Sequence, residues 1–319
     1  MPSLLALCCV WSLAAAPTSG DGPDRKAPGI AALVAAPDGS GWLRGSQAGV
    51  IFRPSSDAPE RPIPTGLDHV HALVFSPDGS TLAVAGGSPG EFGAVELLSW
   101  PAGDVLGRLD GHEDVVYDVV WLDGGKALAT ASADEVVRIW DARTRLEVAA
   151  LEGHSGPVLA LAVSPDGGWL CSGGADGTIR VWEPRPWRPA RALTNHLGPV
   201  NALAFRPAQP GGRPATLASA GGDGTVRVWQ PAIGRMVRIV RHPAAVLCVA
   251  WDRDGSHLVT GAKDGHLRVV AGGGDVVLAE RSLSRDWITA LIVPSGDSPL
   301  IAGDSGGQVH SWGDLDLEP

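Results

Sequence analysis

The chain has 319 residues, of which 44% are hydrophobic, 43 are glycine and 26 are proline. Glycine and proline at that level suggest disorder, yet the apolar content is that of a folded protein and the glycines fall between short apolar runs, so the composition fits many short strands. Twenty-five Lys plus Arg against 35 Asp plus Glu leave a formal charge of −10, which argues against unspecific nucleic-acid binding and docking on anionic lipid but leaves room for a local basic patch.

Residues 1–20 carry no charged side chain, and Leu4 to Ala16 is an apolar run of 13 residues that leads into Pro17-Thr18-Ser19-Gly20. Such a run is too short to cross a bilayer, which takes about 20 residues, but it matches the apolar core of a secretory signal followed by small residues. On this reading 1–20 is a signal peptide, 21–29 a linker or closing segment, and the protein is periplasmic or secreted. The alternative makes Leu4 to Leu13 an outer strand and the chain a cytoplasmic assembly scaffold. No stable membrane insertion is expected either way. Of the four cysteines, Cys8 and Cys9 lie in this run, while Cys171 and Cys248 read as small buried apolar residues with no disulfide.

From Ile30 onward one pattern recurs, most completely over Glu152 to Glu183. Apolar runs at Val158 to Val163, Trp169 to Ser172 and Thr178 to Trp182 are separated by Ser164-Pro165-Asp166-Gly167 and Ala175-Asp176-Gly177, turn signals that make a three-strand meander. His112, His154, His196 and His242 step by 42, 42 and 46 residues, and Trp100, Trp140, Trp182 and Trp229 by 40, 42 and 47. With Gly-His near the start and Trp-Asp near the end of each period, the chain over 30–315 resembles the WD40-repeat family. The resemblance implies an all-β, seven-bladed propeller of four-stranded blades. The last blade is expected to be poorly closed, because only seven residues follow Trp312.

The repeats run over 30–53, 66–100, 111–141, 153–183, 195–230, 241–270 and 287–313, with 316–319 as a tail. Repeat 1 lacks the histidine and has Arg53 in place of the tryptophan; a Pro-rich link, Pro54 to Pro64, follows. Repeat 2 has Gly66 for the histidine, and Gly86 to Gly93 reads as an insertion between its second and third strands. Repeats 3 and 4 are complete, and Pro184-Arg185-Pro186-Trp187-Arg188 leaves repeat 4. Repeat 5 has an enlarged first turn, Arg206 to Ala215. Repeat 6 keeps His242 and Asp264 but ends on Val270, and repeat 7 regains Trp312 while losing the histidine and, at Gly306, the aspartate.

The resemblance implies a buried hydrogen-bond relay in each complete repeat: His112, Asp134 and Trp140; His154, Ser172, Asp176 and Trp182; His196, Ser219, Asp223 and Trp229. The hydroxyl in repeat 3 is Thr130 or Ser132, and His242 with Asp264 extends the set. A His–Asp–Ser group resembles a hydrolase triad, but repetition on three blade turns makes it structural. Arg138, Arg180, Arg227 and Arg268 share one third-strand position and read as solvent-facing or paired to a neighbouring strand rather than as a recognition ring. Phe92 and the Arg185, Trp187, Arg188 loop are the candidate partner contacts, since an indole flanked by arginines has the composition of an interface hot spot.

No metal spacing, phosphate loop or cofactor motif is present. The chain reads as a non-catalytic platform for a protein or peptide partner, with no nucleic acid, acting as a monomer or a subunit of a complex. The competing reading is an exported propeller enzyme or redox-associated subunit with a site at the central channel.

Overall fold

The computed structural model describes residues 27–208, 214–293 and 299–313. The expected signal 1–20, most of the linker and the tail 316–319 lie outside the described residues. Among those described, the strands form seven antiparallel sheets in chain order, with one short 3-10 turn at Pro231–Ile233. Six sheets have four strands; the last, from Ile288–Ile292, Leu300–Asp304 and Val309–Trp312, has three. The molecule is a seven-bladed β-propeller whose last blade lacks an outer strand among the described residues. No helix there is long and apolar enough to cross a membrane.

Local chemistry sets the hairpins. In blade 2, Asp78 Oδ1 accepts hydrogen bonds from Ser76 Oγ (2.6 Å), Ser80 N (3.0 Å) and Ser80 Oγ (2.9 Å). Gly79 beside it takes φ of +74°, a conformation open to glycine at no steric cost. Near the start of every inner strand the pairing skips one position: Ala31, His71, Tyr117, Leu159, Asn201, Leu247 and Thr289 are bulged.

The core lies between blades. Ala160, Cys171 and Val181 of blade 4 pack with Val200, Leu203, Leu217 and Trp229 of blade 5, and Ile139 of blade 3 packs with Leu161, Leu170 and Trp182 of blade 4. Each large apolar side chain buried this way contributes roughly 1.5–3 kcal/mol. Polar stitches join the inner strands of successive blades. Asn201 Nδ2 donates to Val246 O at 2.7 Å, Thr289 Oγ1 donates to Ile30 O at 2.6 Å, and Leu161 N donates to the Asp118 carboxylate at 2.8 Å. Thr289, with the contact of Ile30 and Leu33 against Ala290, closes blade 7 onto blade 1.

Three sequence expectations change here. The Pro-rich link after repeat 1 contains that blade's outer strand, Arg61–Ile63. The repeat 2 insertion is a longer hairpin, because Thr81–Ser88 and Phe92–Ser99 pair out to Ser88 opposite Phe92 and leave only Pro89-Gly90-Glu91 as the turn. Trp100 does not occupy the position of Trp140. Leu98 does, opposite Leu82 as Trp140 is opposite Leu128; blade 2 has Val84 where blade 3 has Thr130, so an indole N–H there would find no hydroxyl. Trp100 instead donates to Asp38 of blade 1 (3.1 Å) and meets Phe52 and Phe75 edge-on.

Thr289→Val keeps the side-chain volume and removes the closure hydrogen bond. We expect it to lower unfolding stability by about 1–2 kcal/mol, since a buried carbonyl loses its donor. Urea denaturation reads the change, and an unshifted midpoint would remove Thr289 from ring closure.

Candidate functional site

The polar side chains brought together by the fold lie between the loop entering each blade, its second strand and the turn into its third. In blade 3, His112 Nδ1 is 2.7 Å from Asp134 Oδ2, His112 Nε2 is 2.7 Å from Thr130 Oγ1, and Trp140 Nε1 donates to the same hydroxyl at 2.8 Å. Thr130 is therefore the hydroxyl partner, while Ser132 donates to Asp114 O (2.8 Å) and accepts from Asp134 N (3.1 Å). Blade 4 repeats the arrangement, with His154 to Asp176 (3.0 Å) and Ser172 (2.8 Å) and Trp182 to Ser172 (2.9 Å). Blade 5 does so with His196 to Asp223 (3.1 Å) and Ser219 (2.7 Å) and Trp229 to Ser219 (2.9 Å).

Proton bookkeeping fixes the direction of the relay. A carboxylate only accepts, so Nδ1 carries the imidazole proton; Nε2 then accepts from the hydroxyl, whose oxygen accepts from the indole. Burial pushes His154 and His196 below the usual imidazole range against the pull of their carboxylates, which keeps the rings neutral. Burial alone would raise Asp223, but Leu197 N, Thr225 and His196 hold it down at about 2. Thr130, Ser172 and Ser219 are fully buried. A hydroxyl with no solvent access, already accepting from an indole, cannot act as a nucleophile on an external substrate.

The other four blades fill the same site differently. In blade 1, Ser46 Oγ accepts from Ala48 N at 3.0 Å, while Glu60 bridges Arg44 (2.9 Å) and Arg53 (3.0 Å). In blade 2, the Glu96 carboxylate accepts from Gly66 N at 3.0 Å. Blade 6 departs from the expected relay: His242 Nε2 meets Thr260 Oγ1 at 2.8 Å, but Asp264 is held by Arg268 at 2.7 Å, leaving His242 Nδ1 buried with no hydrogen-bond partner. In blade 7, Asp304 accepts from Ser284 Oγ (2.7 Å), His310 Nε2 (2.8 Å) and Gln308 N (2.8 Å). Asp304 stands opposite Ile288 as Gly221 stands opposite Val200, so the carboxylate has moved two residues yet takes the turn N–H that Asp223 takes from Thr225.

The third-strand arginines have partners in their own blades: Arg138 with Glu147 (2.6 Å), Arg227 with Asp223 (3.1 Å), and Arg268 with Asp264 and Glu280 (2.7 Å each), while Arg180 donates to Gly153 O. Phe92 is half-buried with the Arg108 guanidinium 5.0 Å from its ring centroid. Trp187 packs in part on the cluster between blades 3 and 4; Arg185 pairs with Asp123 and Arg188 with Glu183. Cys171 and Cys248 are buried thiols. Sequence reasoning missed Asp118, a carboxylate 1% exposed that accepts from Val119 N and Leu161 N, its pKa pushed up by burial to about 8. The signal for it was a lone acid inside Val115-Val116-Tyr117-Asp118-Val119-Val120. Among the described residues no group of three or more His, Cys, Asp or Glu could hold a metal.

Seven antiparallel blades, three of them carrying a His–Asp–hydroxyl–Trp relay, define a WD-type β-propeller. The chain belongs to the WD40-repeat family: the model of the WD domain, G-beta repeat, matches residues 103–141, 146–183, 187–230 and 234–270. Each match starts near the outer strand of one blade and ends on the third strand of the next. The Intraflagellar transport protein 122 homolog of Danio rerio is 36% identical over 93 residues, covering 26% of this chain and 7% of that protein. WD repeat-containing protein 1 of Xenopus tropicalis is 37% identical over 83 residues, covering 24% and 13%. The chain thus spans only a small part of the length of these relatives.

Two outcomes follow from the relay. Ser172→Ala and Asp176→Ala should each lower stability by about 1–3 kcal/mol by orphaning buried partners; a melting temperature equal to wild type in either would contradict the relay as a structural device. Burial and the nearby Arg268 bring His242 down to about 4. The unfolded chain takes up that proton first, near its ordinary value of about 6.5, so stability is lost as pH falls from there towards 4, by about 3 kcal/mol. Denaturation midpoints between pH 7 and pH 4.5 read this loss, and His242→Gln should flatten the profile.

Proposed function

We propose that this propeller is a non-catalytic platform that binds a protein or peptide partner. The observation that carries the reading is the burial of the relay. The histidines, hydroxyls and aspartates that imitate catalytic groups are turned into the blades and spent on one another and on the indoles, so the surface is left to shape and charge. The names of the similar proteins, a transport protein and a WD repeat-containing protein, support a platform over an enzyme. The contacts assigned on it are Phe92, at the end of the long blade 2 hairpin, and the Arg185-Trp187-Arg188 loop on the opposite side. The apolar run Leu4 to Ala16 supports export.

The test is crosslinking and co-purification of the full chain from its own host, with the mass of the isolated chain and its cell fraction recorded. A stoichiometric partner that weakens at least fivefold on Phe92→Ala with Trp187→Ala is the expected result. Full retention of the partner by the double variant overturns the assigned contacts. Turnover of a substrate by the purified chain overturns the platform, and a chain starting at Met1 in the cytosol overturns export.

A further inference from the structure

We propose that the flank formed by the outer strands of blades 4 and 5 docks an acidic, aliphatic-rich segment of a partner protein, a reading that deepens the platform function and rests on it. The first observation is electrostatic. Between Pro184 and Trp251 there are nine arginines, no lysine and one acid, Asp223, so this stretch carries +8; with a chain total of −10, the remaining residues carry −18. The one acid is already used, held by His196 and Arg227 inside blade 5.

Five of these arginines, Arg188, Arg191, Arg235, Arg238 and Arg241, lie on two outer strands. The outer strand of blade 4, Arg188–Leu193, and that of blade 5, Arg235–Arg241, lie next to each other, tied by Arg191 donating twice to Ala232 O (3.1 and 2.7 Å). Arg235 and Arg241 are exposed and make no ion pair among the described residues. Between them and beside them, Ile233 and Val237 are 64% and 51% exposed, so the flank offers aliphatic contact as well as charge.

A second observation points to a missing anion. Arg206, at the end of the inner strand of blade 5, lies with its guanidinium 5.2 Å from the Trp251 ring centroid, and Arg238 donates to Gly272 O at 3.1 Å. Each keeps a buried Nε with no hydrogen-bond partner. After burial, the charge of Arg206 is what most depresses the Arg238 guanidinium, with Asp275 acting in the opposite direction. Two like charges beside a single acid are further stabilised by an anionic group placed between them.

Charged residues on exposed outer strands also prevent edge-to-edge association, but acids serve that end equally well, as Glu147 does on blade 3 and Glu280 on blade 6. Edge protection does not account for five arginines and no acid on these two outer strands, nor for the Arg206–Arg238 pair. A protein segment fits better than a polynucleotide or a lipid surface. The outer strand of blade 5 has seven residues, about 24 Å, so a short segment covers the flank, whereas an extended polyanion outruns it in a chain whose other residues total −18. Alternating acids and aliphatics match arginines interleaved with Ile233 and Val237.

The test uses the full chain and a fluorescein-labelled ten-residue peptide alternating Asp or Glu with Leu, read by anisotropy. Saturable binding is expected, weakening about tenfold between 50 and 300 mM salt. It should fall at least tenfold in Arg235→Glu with Arg241→Glu, whose melting temperature stays that of wild type, and in Arg206→Gln with Arg238→Gln. A peptide with Ser in place of the acids should not bind. Absence of saturable binding, or equal binding by both paired variants, overturns the proposal. So does tighter binding of a 20-nucleotide single strand or of phosphatidylserine vesicles with the same arginine dependence. A partner recovered through Phe92 and Trp187 while the peptide fails would reject the flank and leave the platform standing.

Discussion

A blade of this propeller is a small sheet with two apolar faces, and neither can be buried within the blade itself. Every other feature follows from that constraint. The clusters that hold the molecule together cross blade boundaries, with Trp229 of blade 5 among side chains of blade 4 and Trp182 of blade 4 among side chains of blade 3. Stability is then a sum over neighbours. Backbone groups at the centre, where inner strands meet without pairing, are satisfied by side chains such as Asn201, Thr289 and Asp118 reaching across.

The same constraint explains why one polar site recurs with different contents. The turn into the third strand presents N–H groups under a loop, partly out of reach of water, and needs a carboxylate or its equivalent. Blades 3 to 5 supply an aspartate steadied by an imidazole, blade 1 the hydroxyl of Ser46, and blade 7 an aspartate from the end of the second strand. Blade 6 supplies part of the set, and the histidine left with an idle nitrogen is the one whose titration is most displaced. The residue type is negotiable, whereas the supply of acceptors is not.

The blade count and the relay of blades 3 to 5 were legible because turn residues, histidines and tryptophans recur at one spacing. Where a blade keeps the fold but drops those residues, spacing misleads. Trp100 looked like the terminal tryptophan of repeat 2, yet the site holds Leu98, 42 residues before Trp140, the period itself. The stretch Gly86 to Gly93 looked like a loop because glycine reads as turn, but strand pairing runs through it. The Asp304 relay was hidden because its acid stands two residues early and its imidazole comes from the third strand, and Thr130 could not be told from Ser132 because residues two apart share one face of the strand. The family model likewise matches only 103–270, the part in which every repeat keeps the loop histidine.

The stitch that closes the ring has a topological consequence. Thr289 reaches the carbonyl of the first inner-strand residue of blade 1 as Asn201 reaches that of blade 6, both from the bulged position of their strands. At its hub the propeller therefore has no seam, and the boundary between blades 7 and 1 is an interface like the others. Among the described residues, linear order is written only at the rim, where blade 7 has three strands. A circularly permuted chain, cut between blades 4 and 5 and joined between 7 and 1, would meet the same donors and acceptors around the hub, and its blades would keep their neighbours while the order of their synthesis changed.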